Sequence, residues 1–157
     1  MNRQDDVFLK EKEGDAWYVR NASRLQQEGD SSILSRYVSR LSLKKKSVLE
    51  VGCSNGYLLA PLTRRGARCF GLDPSARAIQ EGRHLFPLLK LDRGVSHDLS
   101  CFKNDYFDIV IVSYVLHWVD RSRLMQTIAE IDRVLKTGGL LIIQDFDHDA
   151  PHKTRYK

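Results

Sequence analysis

The chain has 157 residues, of which 42% are hydrophobic and 29% charged, and its formal net charge is +5. This length supplies the core of one domain, and the composition excludes a disordered tail or a fibre. The positive charges are scattered except at Lys44–Lys46, so a nucleic-acid or membrane-surface partner is permitted but not required. Composition by itself selects no function.

No targeting or redox signal stands out. Residues 1–14 are polar and lack the apolar core of a secretory signal, and the apolar stretch 107–119 is too short and interrupted to span a bilayer. The three cysteines, Cys53, Cys69 and Cys101, match no zinc or disulfide spacing. We therefore expect reduced, buried thiols in a cytoplasmic protein that does not enter the membrane.

Residues 1–30 show no strong hydrophobic period, and we treat them as an N-terminal extension before a domain that spans residues 31–157. The exception is a short aromatic segment that contains Trp17, Tyr18 and Arg20. Two interpretations of it are open: a lid over a bound ligand, or a simple anchor for an N-terminal arm.

From Ser31 onward, helical periods alternate with short apolar runs. The first helix is marked by apolar residues from Ile33 to Leu41, with Ser31 or Ser32 as N-cap. Strands are predicted at 47–51, 69–72, 88–91, 106–113 and 140–143. Further helices are predicted from Tyr57 to Gly66, from Pro74 to Gly82, and along a face formed by Leu124, Ile128, Ile131 and Leu135, ending at Thr137–Gly139. This alternation predicts an α/β fold with a doubly wound, open and mostly parallel Rossmann-like sheet that ends after the fifth strand.

Ligands in such sheets bind at the carboxyl ends of the strands, where the first strand runs into the turn Glu50–Gly56. Three chemistries use a glycine turn of this kind. A nicotinamide-type G-x-G-x-x-G turn would need glycine where Ser54 and Tyr57 stand. A hydrolase elbow, G-x-S-x-G, matches with Ser54 as nucleophile, but the strands and oxyanion loop that normally precede it are missing.

The third chemistry is an acidic-x-G-x-G-x-G turn, and here the chain resembles the class I, Rossmann-like S-adenosylmethionine-dependent methyltransferases. Four motifs in order carry the resemblance: the turn with Ser54 in place of the middle glycine, the acid Asp73 in Gly71–Ser75, the segment Phe107–Trp118, and the Gly-Gly turn within Arg133–Ile143. The resemblance implies S-adenosylmethionine as co-substrate and methyl transfer as the activity.

The resemblance also implies a set of cofactor-binding residues. The glycines of the turn would allow the main chain to approach the cofactor closely, and Glu50 would order the loop. Asp73 would bind the ribose hydroxyls. Residues at the end of the fourth strand would contact the methionine part. The predicted cofactor-binding residues are Glu50, Gly52, Cys53, Ser54, Gly56, Asp73, Pro74, Val95, Ser96, Ser113 and Tyr114. Leu72 and Pro74 would flank the adenine, and Asp73 could also cap a helix.

The chain departs from the family pattern at the position that would bind the adenine. Many relatives carry Gly-Asp-Ala after the third strand, and their acid bonds the adenine amino group. This chain has Val95 in that position. The backbone at Ser96, or the side chains of His97 or Asp98, would then hold the adenine.

His117 is the candidate catalytic residue, because its ordinary pKa suits a general base. The alternative for His117 is a packed or capping role beside Trp118. His148, His152 and three aspartates from Asp145 to Asp149 form a cluster without ligand spacing, so we expect a solvated tail and no metal there.

The leading hypothesis is a methyltransferase with a small-molecule acceptor, because no basic or aromatic nucleic-acid stripe is present, although nucleic-acid or protein acceptors stay open. The alternatives are a non-catalytic S-adenosylmethionine-binding module or truncated methyltransferase, and the hydrolase. Only 12 residues follow Asp145, so material for the family's closing strands is lacking. We expect a truncated piece or a strand-five edge open to a partner, such as a dimer.

Overall fold

The structure is a computed structural model that describes residues 4–10, 12–28 and 33–146. Within these ranges the strands are β1 (Ser47–Val51), β2 (Arg68–Asp73), β3 (Lys90–Arg93), β4 (Phe107–Ser113) and β5 (Leu135–Gln144). They form one sheet in the order β3-β2-β1-β4-β5, and every pairing in it is parallel. The predicted open α/β sheet is therefore confirmed.

The described residues also form helices on both faces of this sheet. They are α1 (Gln4–Leu9), α2 (Glu13–Glu28), α3 (Ile33–Val38), α4 (Leu59–Arg64), α5 (Ala76–Leu85) and α6 (Arg121–Val134). A short 3-10 helix, Leu116–Trp118, follows β4. The proposed N-caps of the first predicted helix, Ser31 and Ser32, lie outside the described residues.

The apolar strands are explained by two cores, one on each face of the sheet. Ile109 and Ile111 of β4 join the core that contains α4 residues, whereas Val110 and Val112 join the core beneath α6. Successive strand residues point to opposite faces, so a strand covered on both sides must be apolar at every position. This is the pattern that the sequence shows from Phe107 to Val112, interrupted only by Asp108.

Helix α2 lies in the segment for which no strong period was found. Its stability in the fold comes from single contacts with the domain: Tyr18 is 2% exposed, and its hydroxyl accepts a hydrogen bond from the Asn55 side chain at 2.9 Å. A helix held by a few such contacts does not need a continuous apolar stripe.

Several predicted boundaries differ from the structure. Pro74 precedes α5 rather than entering its first turn, because Ser75 is the N-cap and accepts the Ala78 N–H at 3.0 Å. Strand β3 begins two residues late, since its pairing with β2 sets its register and leaves Leu88 77% exposed. The Gly138 turn lies inside β5, which continues directly from α6.

The predicted face of α6 is also partly wrong. Ile131 is buried, but Leu124 and Ile128 are exposed, and Thr127 and Val134 are buried in their place. Leu135 already belongs to β5. Ile131 and Val134 of the helix join the core that also contains Val110 and Val112 of β4.

Two further expectations concern the surface. Cys53 and Cys69 are buried as predicted, but Cys101 is exposed. Strand β5 forms the edge of the sheet within the described residues, with Leu141 and Ile143 exposed on it. No helix in the described part of the chain has both the length and the apolar character needed to cross a membrane.

Candidate functional site

A cavity of about 660 Å³ lies at the carboxyl ends of the strands. Its wall includes the last residue of each of β1, β4 and β5, the end of β2, and the loop after β3. Because parallel strands bring these ends to one edge, residues far apart in sequence share one site. The predicted site residues that line the cavity are Glu50, Gly52, Cys53, Ser54, Asp73, Pro74, Val95, Ser96, Ser113, Tyr114 and His117.

The glycine turn after β1 forms the floor of this cavity. Gly52 has φ +76°, and a Cβ added to it would lie 2.2 Å from Val115 Cγ2. Its N–H donates to the Leu72 carbonyl at 2.7 Å, which ties the turn to the end of β2. A side chain at this position would fill space and strain the backbone, so the turn presents bare main chain to the cavity.

Gly56, the other matched glycine, does not line the cavity. Its φ is +84°, and an added Cβ would lie 2.6 Å from Leu89 Cδ1. The structure therefore gives Gly56 a packing role, in which the absence of a side chain lets the turn close against the residues before β3.

Asp73 is held at the end of β2 by two main-chain hydrogen bonds. Its Oδ2 accepts the Ser54 N–H at 2.8 Å, and its Oδ1 accepts the Ser75 N–H at 2.9 Å. Burial, with a smaller contribution from nearby Asp15, raises the pKa of Asp73 to about 6 against the lowering effect of these two bonds. Each oxygen keeps a second lone pair that can accept a ligand hydroxyl.

Glu50 brings a buried and partly unpaired carboxyl to the same wall. It is 5% exposed, and its Oε2 has no hydrogen-bond partner. Burial, with a further contribution from Asp73, raises the pKa of Glu50 well above its ordinary value. A buried acceptor without a donor is destabilising, and a donor on a bound ligand would relieve that.

The N-terminal helices cover the cavity. Phe8 of α1 and Trp17 of α2 line it, and Phe8 packs edge-on against Trp118 with ring centroids 5.1 Å apart. Asp15 attaches this cover to α5, because its Oδ1 accepts the Ser75 hydroxyl at 2.7 Å and the Arg77 N–H at 2.9 Å.

The three residues of the predicted lid segment therefore have different positions. Trp17 lines the cavity, Tyr18 is buried against Asn55, and Arg20 is bonded to Glu13 on the surface, outside the cavity lining. The segment combines an anchor with a cover, and Asp15 and Asn55, which the sequence analysis did not select, hold it in place.

The loop after β3 supplies the wall where the adenine is expected. Val95, Ser96 and His97 line the cavity, whereas Asp98 does not. The Ser96 hydroxyl is 3.3 Å from Thr127 Oγ1 of α6. Val95 offers only apolar surface and main chain to a ligand at this point.

His117 lies beside the cavity in the 3-10 helix and is paired with Asp145. The two side chains approach to 2.6 Å between Nδ1 and Oδ1, and the His117 N–H donates to Oδ2 at 3.3 Å. The expectation that Asp145 belongs to a solvated tail is therefore wrong. Its place directly after β5, at the carboxyl end of a strand, was the signal that could have identified it. His148 and His152 lie outside the described residues.

The described residues support neither a serine hydrolase site at Ser54 nor a metal site. The Ser54 hydroxyl is buried without a hydrogen-bond partner, so no described histidine is placed to deprotonate it as a hydrolase requires. Across residues 4–10, 12–28 and 33–146, no three His, Cys, Asp or Glu side chains are grouped so as to hold a metal ion.

Comparison with protein families identifies the family to which the chain belongs. The model of a family described as "Methyltransferase domain" matches residues 49–143. The chain belongs to this methyltransferase family. The match runs from β1 to β5 and contains the glycine turn, Asp73 and the loop after β3.

Individual relatives agree with this assignment. An uncharacterized methyltransferase of Synechocystis sp. is 32% identical over 100 residues, covering 64% of this chain and 47% of its own. A tRNA U34 carboxymethyltransferase of Helicobacter acinonychis is 29% identical over 136 residues, covering 82% and 51%. The chain therefore spans about half the length of these curated relatives.

Solved structures share the fold. One chain from a complex of the Haloferax volcanii Trm112 methyltransferase activator with a methyltransferase is 26% identical, with a TM-score of 0.72, covering 84% of this chain and 58% of that one. The names of other matched relatives refer to tRNA, to ubiquinone biosynthesis and to demethylmenaquinone. S-adenosylmethionine is the methyl donor named for structures with this fold.

Proposed function

We propose that the chain binds S-adenosylmethionine in this cavity and transfers the methyl group to a small-molecule acceptor. The observation that carries the proposal is the cradle at the ends of β1 and β2. Bare main chain at Gly52, the doubly held carboxylate of Asp73 and the unpaired Glu50 oxygen meet there in one wall.

The residues of this cradle fit the parts of the cofactor. Asp73 would accept both ribose hydroxyls with its remaining lone pairs, since each oxygen already has one main-chain donor. Leu72 and Pro74 would flank the adenine. Glu50 would order the turn around the ammonium end of the methionine part, where a positive group favours its ionised form.

The end of β4 completes the cofactor half of the site. Ser113 and Tyr114 line the cavity at the end of β4, the strand that pairs with β1, and we assign them to the methionine part. Tyr114 has φ +54°, a left-handed conformation that turns the chain sharply away from β4. This turn leads directly into the 3-10 helix that carries His117.

S-adenosylmethionine supplies a methyl group on a sulfonium, which a nucleophile attacks in line. The chain's own contribution is to hold the two reactants in that line and to exclude water. Phe8 and Trp17, which line the cavity from the N-terminal helices, would provide the exclusion. We propose residues 31–157 as the binding domain and residues 1–30 as its cover.

A small molecule is the acceptor that we favour. The cavity is covered by α1 and α2 and has aromatic side chains around its wall, an environment that suits a compact ligand. The positive charges of the chain form no long run that would follow a phosphate backbone. The cytoplasmic location and the dimer through the edge of β5 stay predictions.

Isothermal titration calorimetry with S-adenosylmethionine and with S-adenosylhomocysteine tests the cofactor half of the proposal. We expect both compounds to bind in the micromolar range with one site per chain. NAD⁺ is the control ligand, because the turn lacks the glycines of a dinucleotide site. No heat with either compound at high micromolar concentration would contradict the proposal, and binding without transfer to any acceptor would leave a non-catalytic module.

A further inference from the structure

We propose that His117 and Asp145 act together as a general base for an aromatic hydroxyl acceptor, so that the reaction is an O-methylation of a phenol or enol. This inference rests on the proposed function and deepens it. His117 is the catalytic residue in the proposal, and Asp145 is a positioning residue that acts through it.

The hydrogen bonds between the two residues define the state of the imidazole. One oxygen of Asp145 is 2.6 Å from Nδ1, and the other accepts the His117 main-chain N–H at 3.3 Å. A carboxylate at this distance holds the ring proton on Nδ1 and leaves Nε2 with a bare lone pair. Within the described part of the chain the hydrogen bond of the His117 side chain uses Nδ1, so Nε2 is available to a bound acceptor.

The strands place this pair at the cavity. His117 follows β4 and Asp145 follows β5, and the two neighbouring strand ends are joined by the Tyr114 N–H, which donates to the Gln144 carbonyl at 2.7 Å. The side chains of His117 and Asp145 are 30% and 20% exposed, so the pair is partly shielded from water. His117 lines the cavity on the same wall as Ser113 and Tyr114, which we assigned to the methionine part.

The surface around His117 indicates the class of acceptor. Tyr114 and Phe146 have ring centroids 4.9 Å apart, and the same distance separates the rings of His117 and Phe146. Trp118 lies 5.0 Å from the His117 ring and 5.1 Å from the Phe8 ring. All five rings line the cavity. Such a surface favours a flat, aromatic ligand, whose ring can pack on these faces and edges.

The proposed step moves one proton and one methyl group. The acceptor hydroxyl gives its proton to Nε2 of His117, and the resulting imidazolium is stabilised by the carboxylate of Asp145. The acceptor oxygen forms a bond to the methyl carbon as the carbon–sulfur bond breaks, and its electron pair stays on the sulfur. The products are the methyl ether and S-adenosylhomocysteine, and the proton leaves from His117 to water.

Two model acceptors separate a base from a structural residue. Catechol must lose a proton when it is methylated, whereas 4-nitrocatechol is already ionised near neutral pH. We expect the wild-type chain with S-adenosylmethionine to methylate both. His117→Gln should lower kcat on catechol by about 100-fold or more, the usual range for loss of a general base, and leave 4-nitrocatechol close to the wild-type rate.

Two further variants test the partner of His117 and provide a control. Asp145→Asn should lower kcat on catechol by about 10- to 100-fold, as for other partners that orient an imidazole, and should also spare 4-nitrocatechol. His84→Gln is the matched control, because His84 is an exposed histidine of α5 outside the cavity lining, and its rates should equal those of the wild type.

A readout that needs no activity is the ¹⁵N spectrum of His117 in the wild-type chain. We expect the proton on Nδ1 and a non-protonated Nε2, and a mixture of tautomers in Asp145→Asn. A proton on Nε2 in the wild type, or equal losses on both acceptors in His117→Gln, would overturn the proposal. Cofactor binding with methylation of tRNA but of neither catechol would overturn it while the proposed function stood. Absence of cofactor binding would instead defeat the proposed function.

Discussion

The Asp73 carboxylate accepts the main-chain N–H of Ser54 at 2.8 Å, which joins the end of β2 to the glycine turn after β1. Its other oxygen accepts the Ser75 N–H at 2.9 Å, just before α5. One side chain therefore positions two loops of the proposed cofactor site and also lines the cavity. Its two tasks are compatible, because a carboxylate has more lone pairs than the main chain uses here.

Replacement of this residue tests the ribose assignment. We expect Asp73→Ala to weaken binding of S-adenosylmethionine by about 150-fold or more, because two hydrogen bonds to a charged acceptor are lost and each contributes about 1.5–3 kcal/mol. Calorimetric titration measures the change. Asp92→Ala on the neighbouring β3 is the control, since that side chain is 55% exposed and, among the described residues, pairs with Arg83 on the surface. Equal affinity of Asp73→Ala and wild type would refute the assignment.

Two glycines with nearly equal φ angles allow backbone strain to be distinguished from a steric clash. Gly52 has φ +76° with Val115 Cγ2 at 2.2 Å from an added Cβ, whereas Gly138 has φ +74° with nothing within 4 Å. In urea denaturation, Gly138→Ala should lower the free energy of unfolding by about 1 kcal/mol and Gly52→Ala by about 3 kcal/mol. Only Gly52→Ala should also impair cofactor binding. Similar losses for both variants would show that contact with Val115 has no effect.

The attachment of the N-terminal helices gives a prediction about dynamics. Burial would raise the pKa of Asp15, but its hydrogen bonds from Arg77 and Ser75 lower it overall, so this residue is an ionised acceptor at neutral pH. Asp15→Ala should increase amide hydrogen exchange throughout α1 and α2 and accelerate cofactor release.

Glu13→Ala is the matched control for that experiment. Glu13 lies in the same helix, and its partner Arg20 is 57% exposed, so loss of this surface pair should change little. If both variants exchanged like the wild type, contacts other than the Asp15 hydrogen bonds would be holding the helices.

Asp108 lies at the end of β4 that is away from the cavity, and it gives a prediction about how stability depends on pH. Burial would raise its pKa, but the Ser47 N–H, Lys136 and Lys46 together lower the pKa of Asp108 to about 2. The pKa of Asp108 is lower in the folded chain than the value of 3.8 for the unfolded chain, so its carboxylate stabilises the fold at pH values above 3.8. This stabilisation is lost as the pH falls toward about 2. Asp108→Asn should therefore lower the free energy of unfolding by about 2 kcal/mol at pH 7, with the difference shrinking below pH 4.

Denaturation of both proteins between pH 2 and pH 7 would measure this difference (~0.5 pH-unit steps resolve the window). A difference that stays constant over the whole range would contradict the pKa of Asp108 as its cause. Cofactor affinity at pH 7 should be unchanged, because Asp108 stands near the amino end of β4, away from the cavity.

The sequence by itself determined the sheet and indicated the residues of the proposed cofactor site. Strands buried on both faces must be apolar at successive positions, so β4 was visible in the sequence from Phe107 to Val112. The turn that contains Gly52 and the acid Asp73 both follow strands directly, and such local patterns depend on short stretches of chain. Family membership rests on these same stretches.

Only the tertiary structure decided which side chains act together across the chain. Helix α2 owes its place to single contacts such as Tyr18 with Asn55, which leave no period in its own sequence. The register of β3 and the buried face of α6 follow from their neighbours in the sheet. Asp145 pairs with His117, 28 positions away, because parallel strands β4 and β5 end side by side. Distances of this kind are set by strand order, and no local pattern encodes them.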